Sequence, residues 1–337
     1  MLTGSLRKSA DFMSGRGTPI ILIAAILFGA AVGIASPEAG DFVSGQIDYT
    51  ILALVVLLLF DVRIQSVVAS FGRVPFLVAA LIANFAIIPA LGFAIASIVL
   101  PGQPIFFIGL LIYFMAPCTD WFLGFTRLAD GNTALGAALL PINMIVQLLL
   151  YPVYLYLFGV ESLGISAETI FQSLWLWFLV PLVVAVVARF VIERLLNEKQ
   201  FEIVSDLVAF AVPVLLAILV WQIAAANIGT LIANAAVFPL ILLGIFAFFV
   251  ATFFLAEGIS KLMKLSHEDR VLMTMTTAAR NAPLMLVVTM AVIPDQPLIY
   301  AAIVIGMLVE LPHLIALKSV LKRQGDALKA AQGSAVA

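Results

Sequence analysis

Apolar runs punctuated by Gly, Pro and charged residues divide the chain into ten segments. They cover residues 18–35, 47–62, 74–99, 104–128 and 132–159, then 168–193, 202–224, 229–264, 268–293 and 297–322. A helix needs ~20 apolar residues to cross a bilayer, so each segment is read as one spanning helix. The long eighth run must project beyond the bilayer or tilt strongly. Arg7, Lys8 and Arg16 precede the first run, which ends at Ala35-Ser36-Pro37 in the manner of a signal peptide. That run is longer than a usual signal core and many spans follow it, so it reads as the first span.

Composition narrows the class. The 337 residues are 64% hydrophobic and 11% charged, against roughly 25% charged in a soluble domain. A water-soluble protein is excluded, and ten spans leave no room for a separate soluble domain. The expectation is an all-α polytopic membrane protein embedded in the lipid bilayer. Nothing supports nucleic-acid binding. A single cysteine, Cys118, rules out an intrachain disulfide and a multi-cysteine metal cage, and no cofactor is expected.

Charge placement predicts topology, because cytoplasmic loops are rich in Lys and Arg. With the N-terminus inside, all of the 17 Lys and Arg except Arg280 fall in the two tails or in the loops after spans two, four, six and eight. The opposite loops, near 36–46, 101–104, 161–168, 225–229 and 294–297, hold none. Both termini are therefore expected in the cytoplasm, with tails at 1–17 and 325–337. Five spans per half make the second half enter the membrane in the opposite sense. Residues 18–160 and 161–324 thus read as two inverted five-helix repeats.

Spans four and nine hold matching positions in those repeats, and each is interrupted. The breaks are Ala116-Pro117-Cys118-Thr119-Asp120 and Arg280-Asn281-Ala282-Pro283. A proline inside a helix removes a backbone hydrogen bond and clashes with the preceding turn. One such proline merely kinks a membrane helix; paired breaks with polar neighbours point to the substrate site of a secondary transporter.

Arg280 lies ~12 residues into span nine, near the midplane at ~1.5 Å per residue, where an isolated charge is expensive. Asp120 and Glu310 lie at similar depths in spans four and ten. The plainer reading is a structural ion pair between Arg280 and one of them. The functional reading makes Asp120 and Glu310 proton or cation acceptors with Arg280 as counterweight. Asn143, Gln147, Asn281, Asn84 and Thr119 add neutral polar groups; most intramembrane amides bridge helices, so only Asn281 and Asn143 join the site. Cys118 follows Pro117 inside the first break. A helix N-terminus lowers a thiol's pKa and thiolate suits soft centres, although a lone membrane cysteine commonly serves as a small apolar residue.

Ala116-Pro117-Cys118-Thr119 in a broken fourth span, Asn143, Tyr151-Pro152 and Val309-Glu310-Leu311-Pro312 in the tenth together resemble the arsenical-resistance type of arsenite efflux permease. That family lies within the bile acid/sodium symporter superfamily. The resemblance implies discontinuous helices four and nine crossing at mid-membrane, with a panel of helices one, two, six and seven. It implies export of trivalent arsenic, and in some members antimonite, across the plasma membrane by proton exchange. Cys118 takes the place of the family's functional cysteine, as ligand to the transported arsenic(III), and Glu310 that of its functional glutamate.

Arg280-Asn281-Ala282-Pro283 stands where those permeases carry an Asn-Asn-Phe-Glu type of break, and it looks more like branches that move organic anions. A sodium-coupled symporter of a small organic anion is therefore the alternative, with Arg280 and half-helix N-termini holding the carboxylate. The partners expected are a small inorganic or anionic solute and a coupling proton or sodium ion. A channel or sensor lacks a pore-lining repeat or signalling domain. An intramembrane enzyme is not expected, since His267 and His313 show no ligand spacing.

Overall fold

The computed structural model describes residues 17–60, 73–119, 121–157, 168, 172 and 175–336. Apart from one isolated β-bridge, the regular elements among them are helical. In order they are α1 (Thr18–Ala35), α2 (Pro37–Ser44), α3 (Ile47–Phe60), α4 (Val74–Ile82), α5 (Ile88–Val99), α6 (Pro104–Met115), α7 (Trp121–Leu128) and α8 (Thr133–Leu157). There follow α9 (Val180–Leu195), α10 (Glu198–Ala233), α11 (Phe238–Leu262), α12 (His267–Ala278), α13 (Ala282–Val292) and α14 (Pro297–Val336). Among the described residues six helices are long and apolar enough to cross a membrane, seven if the bent pair α2–α3 is one span. The protein is a multi-span, all-helical membrane protein.

Two expectations are corrected. Residues 36–46 are not simply a loop. Ser36 is extended, its Oγ accepts from the Ala39 N–H at 3.3 Å, and Pro37 and Glu38 open α2, a sequence suited to a helix start. Nor does a loop at 225–229 part spans seven and eight. α10 runs through it, leaving helical geometry only at Asn227 (φ −126°, ψ 16°), whose Nδ2 donates to the Ile223 carbonyl. The helix ends at Asn234, and a 3-10 turn at Ala235–Val237 leads into α11, which has 25 residues. The apolar run at 229–264 is thus shared between two helices, and the excess length falls on α10, which has 36 residues. A kink inside an apolar stretch leaves no mark in run length.

α4 and α5 form one span through a π turn at Ala83–Ile87. Pro89 has no N–H for the Phe85 carbonyl four residues earlier, and the Tyr154 hydroxyl donates to that carbonyl instead.

The described residues fall into two compact units. One draws on Met1–Val62, Leu155–Phe238 and Pro283–Val304. In it α10 lies along α1, and α3 packs on α9 and α10. A Cβ on Gly33 would stand 2.2 Å from the Ala225 carbonyl oxygen, whereas one on Gly258 of α11 meets nothing within 4 Å. Gly33→Ala is expected to cost about 1–3 kcal/mol of stability as overpacking. Thermal unfolding in detergent checks this, with Gly258→Ala expected at the wild-type midpoint or above.

The second unit draws on Arg63–Tyr154, Pro239–Ala282 and Ile305–Ala337. An apolar cluster including Phe122, Leu139, Val271, Leu272, Met275 and Leu317 fills it. The start of α12 is pinned by Ser266, whose Oγ accepts from the Asp269 N–H, and by Arg73 and Asn132, which both meet the Asp269 carboxylate. Every described candidate residue lies in this unit.

Candidate functional site

Both breaks expected in spans four and nine are present. Pro117 disfavours helical geometry at Ala116, and Ala116 is extended (φ −107°, ψ 109°) after α6 stops at Met115. Ala279 is likewise extended (φ −79°, ψ 138°) after α12 stops at Ala278. The two extended stretches pair antiparallel through a bridge between Pro117 and Arg280. The Cys118 N–H donates to the Ala279 carbonyl at 3.0 Å, and the Asn281 N–H to the Ala116 carbonyl at 2.9 Å. Each break thus supplies a backbone partner that the other needs.

Arg280 is fully buried, and its guanidinium gathers helix-end carbonyls. Nη1 donates to the Phe114 carbonyl at 3.0 Å, and Nη2 to those of Thr276 at 3.1 Å and Thr277 at 2.7 Å. All three belong to last turns, whose carbonyls lack intrahelical partners. The guanidinium carbon sits 5.6 Å from the centroid of Phe248, which stacks on Phe114 at 4.0 Å. Glu310, 3% exposed, meets Arg280 through the main chain: its Oε1 accepts from the Arg280 N–H at 2.8 Å.

The polar side chains form two further groups. Asn281 Nδ2 donates to Thr119 Oγ1 at 2.9 Å across the paired breaks. Deeper, Thr276 Oγ1 accepts from Asn84 Nδ2 at 3.2 Å and from Asn143 Nδ2 at 3.3 Å, all three fully buried. Asn84 stands in the π turn of α4–α5. Thr276→Val is expected to strand both amides and lower stability by about 1–3 kcal/mol for each donor left unsatisfied. Comparison of its thermal unfolding with that of Thr274→Val checks this.

Arg280, Asn281, Glu310, Thr119 and Cys118 therefore meet around the paired breaks, and Asn143 joins them through Thr276. Asp120 lies outside the described residues. Cys118 is fully buried in the apolar cluster beside Phe122, Leu139 and Met275, and its own amide is spent on Ala279. Sequence reasoning set Asn84 aside and missed Thr276, Thr277, Phe114 and Phe248. The Met-Thr-Met-Thr-Thr run at 273–277 was a usable signal, being polar in an apolar span.

A backbone-paired centre that holds, among the described residues, one cation, one carboxylate and amides has the chemistry of a small-solute site in a membrane. The model of the Sodium Bile acid symporter family matches residues 49–231. The chain is similar to the arsenical-resistance protein Acr3 of Corynebacterium glutamicum, 27% identical over 249 residues that cover 70% of this chain and 67% of that protein. It is also similar to the arsenical-resistance protein Acr3 of Alkaliphilus metalliredigens, 24% identical over 325 residues that cover 89% and 90%. The family match takes in more than half of the sequence and runs through the first break, so the chain belongs to the sodium bile acid symporter family, a family of membrane transport proteins.

Proposed function

We propose that this protein exports arsenite, and antimonite by the same chemistry, across the plasma membrane in exchange for protons. The reading is carried by Cys118, the one cysteine of the chain, standing in the first break next to Thr119, which accepts a hydrogen bond from Asn281. Its likeness to two proteins named for arsenical resistance supports the same reading. A thiol condenses with arsenous acid to form an S–As bond; the thiol proton leaves with one arsenic hydroxyl as water, and hydrolysis reverses the step. Sulfur is a fitting soft ligand for arsenic(III). Because Cys118 is buried, solute reaches it when the packing around the break opens, as alternating access requires.

Glu310 is the proton-linked group. Its Oε1 holds the Arg280 N–H at the break, and adding a proton weakens a hydrogen bond made by the charged form. Protonation thereby loosens the pairing that the two breaks share. Ten spans in two inverted five-helix repeats, 18–160 and 161–324, with both termini cytoplasmic, complete the proposal. They rest on the charge asymmetry of the loops.

Membership of the sodium bile acid symporter family motivates the second reading, sodium-coupled uptake of a small organic anion. One experiment separates the two. Cells lacking their own arsenic exporters are loaded with arsenite, with and without the protein at measured membrane expression. Lower accumulation that persists in sodium-free medium supports arsenite export. Unchanged accumulation overturns it and directs the search to sodium-driven anion uptake.

A further inference from the structure

We propose that Arg280 is a resident cation, its guanidinium occupying the carbonyl cage at the paired helix ends that a mobile alkali ion would otherwise fill. The inference deepens the proton-exchange reading and rests on it for its meaning in transport. Where membrane helices are broken, half-helix C-termini and unwound carbonyls are the groups that coordinate a coupling sodium ion, because they carry the negative end of the helix dipole. Here the last turns of α6 and α12 turn three such carbonyls, Phe114, Thr276 and Thr277, onto the two Nη atoms of one guanidinium. The guanidinium is held among them by its own side chain.

Three features distinguish a resident cation from an anion-binding arginine. The guanidinium is fully buried. Its Nη atoms are spent on oxygens of partial negative charge. Its central carbon lies over the Phe248 ring, where a desolvated cation is attracted by the ring's negative face. Nε alone lacks a partner among the described residues. Glu310 binds the Arg280 main-chain N–H, so the anchor of the backbone and the filling of the cage are separable functions. Removing the side chain beyond Cβ leaves the Glu310 bond possible while emptying the cage.

The consequence is reciprocal. Wild-type protein gains nothing from sodium at this cage, and protein without the guanidinium gains from an added cation. The test uses purified full-length wild-type protein, Arg280→Ala and Arg280→Lys, with thermal unfolding in detergent under matched choline, sodium and dilute guanidinium chlorides. Arg280→Ala is purified with guanidinium present. The wild-type midpoint should be the same in sodium and choline. Arg280→Ala should melt lower in choline and regain roughly 5 °C with guanidinium or sodium about a hundredfold above Kd. Arg280→Lys, carrying its own ammonium, should melt between the two without responding. Stabilisation of wild type by sodium over choline overturns the proposal. So does an Arg280→Ala protein that answers to neither cation, or that cannot be recovered folded even with guanidinium. No transported solute enters the test, so failure of the arsenite reading leaves its outcome intact.

Discussion

Arsenite export by Cys118→Ala and Cys118→Ser is expected to fall to the level of cells without the protein. The thiol is the only soft sulfur nucleophile in the chain, since Met thioethers cannot exchange with an arsenic hydroxyl. The two variants answer different objections. Cys118 belongs to the buried apolar cluster that includes Phe122, Leu139, Val271 and Met275, a setting in which a small hydrophobic residue is at home. Alanine keeps that setting apolar and costs little stability, so its loss of export reports lost chemistry. Serine keeps the shape but offers a hard oxygen. Export by Cys118→Ala at the wild-type rate would make Cys118 a packing residue and remove arsenic ligation from the site.

Glu310→Gln is expected to abolish export driven by a pH gradient while preserving the fold and arsenite exchange between equal concentrations. Glutamine keeps an Oε1 acceptor for the Arg280 N–H and so keeps the pairing of the breaks, but it cannot take up or release a proton. Glu310→Ala should do more harm, leaving a buried N–H without its partner at a cost of about 1–3 kcal/mol. Fluxes of radiolabelled arsenite with and without an imposed gradient, alongside unfolding midpoints, separate the two effects. Gradient-driven export by Glu310→Gln at the wild-type rate would move the proton-linked step elsewhere.

The paired breaks were legible because prolines act locally: Pro117 and Pro283 each remove a backbone donor from the helix, and flanking polar residues exposed the interruption. Arg280 was legible as the one basic residue outside the tails and one set of loops. Its partners were not. The guanidinium donates to the carbonyls of Phe114, Thr276 and Thr277, while Glu310 holds the Arg280 N–H and Asp120 lies outside the described residues. Every residue carries a carbonyl, and only the place where a helix stops decides which of them needs a donor. Asn84 was hidden for a related reason: the π turn that aims it at Thr276 arises from backbone spacing ahead of Pro89. The kink at Asn227 and the short helix Pro37–Ser44 show the same limit, since run length records apolarity and not the path of the backbone.

The most direct test of arsenite–proton exchange is arsenite uptake into sealed proteoliposomes of the purified protein with an acidic lumen, in sodium-free buffer. Protons leaving should draw arsenite inward above the level of protein-free vesicles. A protonophore should abolish this uptake, and vesicles carrying Cys118→Ala should not show it. Uptake no greater than in protein-free vesicles, with a gradient imposed in either direction, would contradict the account.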